Sequence, residues 1–262
     1  MELLKGYIKH QYNKNDYEFK DLNMKFINDY EFYLKSERDL AQSSIYKMIQ
    51  RFRKIIKIAI SEGVLDKDPF VLYKCKRPKT VIVFLSSEEL KSLEEHNFAQ
   101  TRLQQVKGMF IFCCYTGLAY QEMSTLRAKH ITKGFDSNLL INMSRKKTNQ
   151  LIAIPLLPQA EAVLDKYNQE GSDVVLPSIS NQKFNSYLKE MAELIGIEKK
   201  LTHHIARKTF ATTVLLSNGV SMEVVSELLG HNKITVTQEH YAKVVKSKVS
   251  EEVLKLKDVM KP

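Results

Sequence analysis

The chain changes character at one place, and that place decides how many cores it can build. Residues 64–82, VLDKDPFVLYKCKRPKTVI, hold two prolines and the basic cluster Lys74, Lys76, Arg77 and Lys79, with no apolar period. Proline removes a backbone donor and fixes φ, so such a stretch cannot continue a helix or a central strand. Apolar residues return at regular spacing on both sides of it. The 262 residues are therefore expected to form two units, 1–74 and 83–262, joined by a linker at 75–82.

The first unit reads as helical. Phe26, Ile27, Tyr30, Tyr33 and Leu34 recur at three- and four-residue spacing, and Ile45, Ile49, Phe52, Ile56, Ala59 and Ile60 repeat the pattern. Lys47, Arg51, Arg53, Lys54 and Lys57 fall mostly away from that second stripe, as on a helix laid along a phosphate backbone; a solvated face is the alternative reading. Residues 1–80 carry 17 Lys and Arg against 11 Asp and Glu, a net of +6 out of the chain's +10. A field of this sign favours polyanions, nucleic acid first among them.

Other classes are excluded or disfavoured. No apolar run approaches the roughly 20 residues that span a bilayer. The N-terminus lacks the apolar stretch of a signal peptide, so a cytoplasmic location is expected, nucleoid-associated when the chain is on DNA. Cys75, Cys113 and Cys114 are odd in number, and the adjacent pair lies in an apolar run that suits buried thiols. No Cys/His cluster has zinc-ligand spacing, and no phosphate-binding glycine loop is present, so neither a metal nor any other cofactor is expected.

In the second unit, Ser86 followed by Ser87-Glu88-Glu89 predicts a capped helix start. A core helix is expected from about Gln104 to Tyr115, stopped at Thr116-Gly117 before a short helix near Gln121–Leu126. Leu139–Met143 and Leu151–Pro155 read as the two strands of a hairpin around SRKKTNQ, and most of the remainder is helical. The expected class is mainly α with a small β-hairpin or sheet.

Four features of this unit carry chemistry. His204 and Arg207, at i and i+3 on one helix face, can address one anion. Leu229-Gly230-His231 sets a histidine just past a helix stop, Tyr241 follows ten residues later, and Arg145-Lys146-Lys147 sits at the hairpin tip. Taken singly, each has an ordinary structural reading. Together, in this order and with His231 24 positions after Arg207, they resemble the tyrosine recombinases, or phage-type integrases, and in particular those of Bacteroidetes mobile elements.

The resemblance implies a helical, SAM-like core-binding domain followed by a tyrosine-recombinase catalytic domain. It implies that Tyr241 attacks a DNA phosphodiester to form a 3′-phosphotyrosine link, that Lys147 protonates the departing 5′ oxygen, that Arg207 and His204 bind the non-bridging oxygens, and that His231 supports the phosphate or takes the tyrosine proton. The basic residues Lys47, Arg51, Arg53, Lys54, Lys57, Lys74, Lys76 and Arg77 would follow the duplex. It further implies double-stranded DNA bearing specific recombination sites as the partner, a protomer that is monomeric in solution and tetrameric on DNA, and a role for an accessory DNA-bending protein. The amphipathic stretch Ser247–Met260 would dock on a neighbouring protomer or on its own domain. Many integrases carry a further arm-binding domain, whereas this sequence starts almost directly in core-binding-like residues, as a simple recombinase or a truncated chain would.

One position departs from the family pattern. The motif Thr116-Gly117-Leu118 is followed by Ala119 where the family's first catalytic arginine is expected. Arg145 is the favoured replacement, since on an extended segment it would share a face with Lys147; Arg127 is a second candidate. Glu122 reads as an orienting carboxylate. The alternatives to a recombinase are a DNA-binding protein with impaired catalysis and a type IB topoisomerase-like relaxing enzyme.

Overall fold

The computed structural model describes residues 2–78, 82–135, 137–146, 149–167 and 172–238. The chain divides into two compact units, Met1–Val81 and Ile82–Pro262.

The first unit is built on three helices, α1 (Glu2–Tyr12), α2 (Met24–Ser36) and α3 (Gln42–Ser61). Asn23 caps α2 by accepting from the Phe26 N–H at 3.0 Å. The apolar positions read from the sequence on α2 and α3 are buried, apart from the half-buried Ile60, and a cluster of aromatic rings from Tyr7, Tyr12, Tyr17, Phe26, Tyr30 and Phe52 fills the space between the helices. The periodicity taken from Asp21 onward leaves out α1, whose Tyr7 and Ile8 complete this core.

The second unit begins with α4 (Ser87–Glu95), closed by a reciprocal capping box in which Ser86 and Glu89 each satisfy the other's backbone N–H. The central helix α5 (Thr101–Thr116) is buried nearly all round, starting three residues ahead of the expected Gln104. Cys113 and Cys114 lie inside it, and burial pushes both thiols up, so they stay protonated as small apolar groups. Lys107 is buried on the same helix and donates to the carbonyls of Glu94 and His96 at the end of α4, at 2.9 and 2.8 Å.

Helix α6 (Tyr120–Ser124) follows, and then a three-stranded antiparallel meander of β1 (Ile131–Lys133), β2 (Leu139–Ser144) and β3 (Leu151–Pro155). The expected hairpin of β2 and β3 is present, and its register sets Ile141 opposite Ile154 and Met143 opposite Ile152. β1 went unread because three residues are too few to show alternation; it is fixed by pairing Ile131 with Ile141. Helices α7 (Pro158–Tyr167), α8 (Asn181–Leu194), α9 (His203–Thr209) and α10 (Met222–Leu228) complete the described unit. A π-helical turn over Phe210–Leu215 continues α9, and a short helical run covers 234–238. The chain is thus mainly helical with one small sheet, and no described helix is long and apolar enough to cross a membrane.

The end of α5 is where backbone conformation is most constrained. Gly117 caps the helix at φ 65°, and a Cβ there would lie 2.4 Å from Cδ1 of Phe210. Both the left-handed backbone and the aromatic contact require glycine. Gly117→Ala is expected to destabilise the second unit by about 2–4 kcal/mol, seen as a lower denaturant midpoint for that unit; an unchanged midpoint would contradict this packing.

Candidate active site

The polar centre of the second unit forms where three helix ends meet. Helices α5 and α10 both terminate here, and their last carbonyls form the negative ends of the two helix dipoles. Arg207, half-buried on α9, answers both. Its Nη1 donates to the Gly117 carbonyl at 2.8 Å, and its Nη2 donates to the Leu229 carbonyl. A guanidinium suits this place because its planar fork can serve two acceptors without deprotonating.

Arg145 arrives at the same carbonyl cluster from the hairpin. Its Nη2 donates to the Leu228 carbonyl, next along the chain from Arg207's acceptor, at 3.3 Å, and its Nη1 pairs with Glu122 Oε2 at 3.0 Å. Glu122 accepts the Ala119 N–H on that same oxygen at 2.6 Å, capping α6. One carboxylate oxygen therefore joins Arg145 to the backbone of the residue that replaces the expected arginine. Arg145 and Glu122 are each only 4% exposed. Burial draws the Arg145 pKa down and the Glu122 charge opposes it, so the pair holds its charge by mutual neutralisation. Gly230 makes the approach possible: at φ 59°, a Cβ on it would sit 2.7 Å from Arg145 Nε.

Arg127 occupies a different environment. Its Nη1 donates to the Leu126 carbonyl at 2.9 Å and its Nε lies 3.6 Å from Asp173, so it braces the α6–β1 connection and does not join Arg207. Of the two arginines considered, Arg145 is the one that shares the end of α10 with Arg207.

His204 is exposed on α9, one turn before Arg207. His231 follows the Gly230 turn, where its N–H donates to the Ser226 carbonyl at 3.0 Å, and its Nδ1 is 2.8 Å from the hydroxyl of the buried Thr237. That contact fixes the ring's orientation. Lys147 and Tyr241 lie outside the described residues, as does the stretch Ser247–Met260. The extended run of β2 ends at Ser144, and the Arg145 carbonyl accepts from the Asn149 N–H at 2.8 Å. Arg145 thus follows the last residue of β2; the expectation that it shares a face with Lys147 falls on a residue outside the described ones.

In the first unit, Lys47, Arg51, Lys54 and Lys57 are exposed along α3, and Lys74, Lys76 and Arg77 are exposed after it. Arg53 departs from this group. Its Nη2 donates to the Tyr73 carbonyl at 2.9 Å and its guanidinium stacks over Phe70 at 5.0 Å. Helical spacing explains the difference: at about 100° per residue Arg53 falls about 80° from Ile45, on the flank of the buried stripe, while Lys47, Arg51 and Lys54 fall on the opposite side. Arg53 therefore ties α3 to the segment after it, a correction to its expected place on the outward basic face.

A residue that the motifs do not single out stands next to His204 in the chain. His203, buried at the first turn of α9, packs edge-on against Tyr120 and against Phe184, and its backbone N–H donates to Asn185 Oδ1 at 2.9 Å. Among the described residues, no group of three or more His, Cys, Asp or Glu could hold a metal ion.

Comparison with known proteins places this geometry. Residues 84–248 match the profile described as Phage integrase family, and residues 1–77 match that described as Phage integrase SAM-like domain. The chain is 29% identical over 237 residues to tyrosine recombinase XerC of Oceanobacillus iheyensis, covering 84% of this chain and 76% of that protein. It is 28% identical over 223 residues to tyrosine recombinase XerD of Lacticaseibacillus casei, with 79% and 74% covered. Among solved structures, the Tn1549 transposon integrase in complex with circular intermediate DNA has a TM-score of 0.70 at 15% identity, covering 95% of this chain and 98% of that one. A lambda integrase dimer bound to a core site also has a TM-score of 0.70, at 18% identity, with 90% and 86% covered.

His203 makes the stability of this site pH-dependent. Burial, with the neighbouring charges of His204 and Arg207, pushes its pKa down from 6.5 to about 4. A histidine depressed in the folded state contributes stability above its unfolded pKa and loses it as pH falls toward the folded one. Unfolding free energy should therefore drop between about pH 6.5 and 4, by about 3 kcal/mol in total. His203→Phe should flatten that portion of a pH series of denaturant melts, and an unchanged slope would contradict the assignment.

Proposed function

The chain belongs to the phage integrase family and is a tyrosine-type site-specific DNA recombinase; on that premise we propose that Tyr241 cuts duplex DNA and that Arg145 supplies the phosphate-binding charge missing at Ala119. The observation that carries the second part is the Arg145–Glu122–Ala119 chain of contacts beside Arg207.

In this reading the Tyr241 oxygen attacks the scissile phosphorus and gives up its proton toward His231. A 3′-phosphotyrosine bond forms as the bond to the 5′ oxygen breaks, and Lys147 protonates that oxygen. Rejoining runs the same steps in reverse with a 5′-hydroxyl from a second strand, so the ester is conserved and no nucleotide is consumed. Arg207, Arg145 and His204 hold the non-bridging oxygens as charge builds on them. Arg145 has five N–H donors, and its bonds to Glu122 and Leu228 employ one on each terminal nitrogen, leaving others for an oxyanion. Held by the carboxylate and the helix end, the guanidinium needs little reorganisation when a phosphate arrives.

The 1–74 unit would act as the core-binding domain, with Lys47, Arg51, Lys54 and Lys57 along the duplex and Lys74, Lys76 and Arg77 extending that contact through the 75–82 linker. The named relatives are tyrosine recombinases, and both structural neighbours hold DNA, which supports duplex DNA as the partner. Two duplex sites and four protomers would make the active assembly, with Ser247–Met260 packing on a neighbour and an accessory bending protein shaping the DNA; the reaction would take place on nucleoid DNA in the cytoplasm. A catalytically impaired DNA-binding protein is the second reading, favoured by Ala119 alone, and the compensating position of Arg145 weighs against it.

The test is covalent capture. Wild type and Tyr241→Phe are incubated with fragmented host and element DNA, denatured, and the protein-linked ends sequenced. Wild type should yield adducts sharing one sequence at the cut, and Tyr241→Phe none, while both bind DNA with an affinity that falls steeply with salt. Adducts from the phenylalanine variant would remove Tyr241 as nucleophile.

A further inference from the structure

The first fully buried residue past the 75–82 linker lies within the second unit and is held there by side chains. Leu85 is fully buried and stands two residues ahead of α4. Its N–H donates to Thr209 Oγ1 at 2.9 Å, and its carbonyl accepts from the hydroxyl of Thr213. Both threonines are themselves buried. They stand four residues apart on the run that begins with α9 and continues through the π-helical turn, two and six residues beyond Arg207.

A second tie reinforces the first. The N–H of Ser86 donates to Glu89 Oε2 at 2.7 Å, and the same carboxylate oxygen pairs with Lys199 at 2.5 Å, five residues before His204. The entry point of the linker is therefore bound to the chain both after and before the segment that presents His204 and Arg207. An anchor at an arbitrary surface loop would hold the linker equally well without involving that segment. The run from Phe210 to Leu215 is a π-helical turn, a feature frequent at functional sites.

We propose that Thr209 and Thr213 are positioning residues that register the linker against the His204–Arg207 helix, so that seating of the N-terminal unit on DNA is transmitted to the phosphate-binding groups. The proposal rests on the recombinase reading. A linker drawn along DNA pulls on Leu85, and the two hydroxyls pass that displacement to α9. Valine at both positions keeps the shape and removes the hydrogen bonds; serine keeps the hydroxyl.

The full chain is assayed in single turnover on the duplex recovered by covalent capture, at saturating DNA, with DNA affinity and thermal melting measured on the same preparations. The Thr209→Val/Thr213→Val pair should form adduct at least about tenfold more slowly, with DNA affinity within about twofold of wild type. The Thr209→Ser/Thr213→Ser pair should stay within about threefold of the wild-type rate. Inserting two glycines between Lys79 and Thr80 should slow wild type yet add little to the loss in the valine pair, since the two changes break one connection. Should the double variant fail to fold, Thr213→Val alone serves, with a smaller loss of rate at unchanged affinity. A valine pair as fast as wild type, or a loss of rate that tracks melting temperature across the valine and serine variants, would overturn the registering role. Absence of adduct from wild type would instead overturn the recombinase reading, and the registering role with it.

Discussion

The second unit is organised around two arginines held at the C-terminal end of one short helix. The successive carbonyls of Leu228 and Leu229 accept from Arg145 and Arg207, and a glycine follows because no side chain could fit beside Arg145 Nε. Two cations on adjacent carbonyls, one buried and one half-buried, repel one another. They coexist because Glu122 neutralises one and helix-end carbonyls from α5 and α10 surround the other. Removing one member of such a buried pair typically costs about 3–5 kcal/mol because the other is left as an uncompensated buried charge, so Glu122 and Arg145 depend on each other. The same arrangement stores positive charge in fixed geometry, which a phosphoryl-transfer site requires.

This dependence explains why so much of the site converges on chain turns. Gly117 ends α5, Gly230 follows the end of α10, and Ala119 opens α6, so helix ends bring distant segments within reach of one another. The hairpin contributes by placing Arg145 immediately after β2, where the strand stops and the turn begins. Leu85, just past the linker, is tied to the same helical run through the threonines beyond Arg207.

Much of this was legible in the sequence, and what was not has physical causes. The stripes on α2 and α3, the Ser86 cap and the β2–β3 hairpin follow from periodicity and local chemistry, which adjacent residues determine. The His204, Arg207 and His231 positions were visible as spacing, and the absence at Ala119 was visible as a gap. The different surroundings of Arg145 and Arg127 are a tertiary matter: both are near in sequence to candidate elements, and only the fold shows one paired with Glu122 and the other with Asp173. β1 lies below the length at which alternation can be read, and His203 has no motif because its environment is made by Tyr120 and Phe184 from other helices. Arg53 was misjudged by reading charge without its angle around α3.

The central claim is that Arg145 stands in for the arginine absent at Ala119. It is tested most directly by measuring the single-turnover rate of DNA cleavage for Arg145→Ala and for the Arg145→Ala/Ala119→Arg double variant, each at saturating DNA. The account predicts a loss of about 10²–10³ for Arg145→Ala and recovery of at least about tenfold when arginine is restored at position 119. Cleavage by Arg145→Ala at the wild-type rate would contradict it.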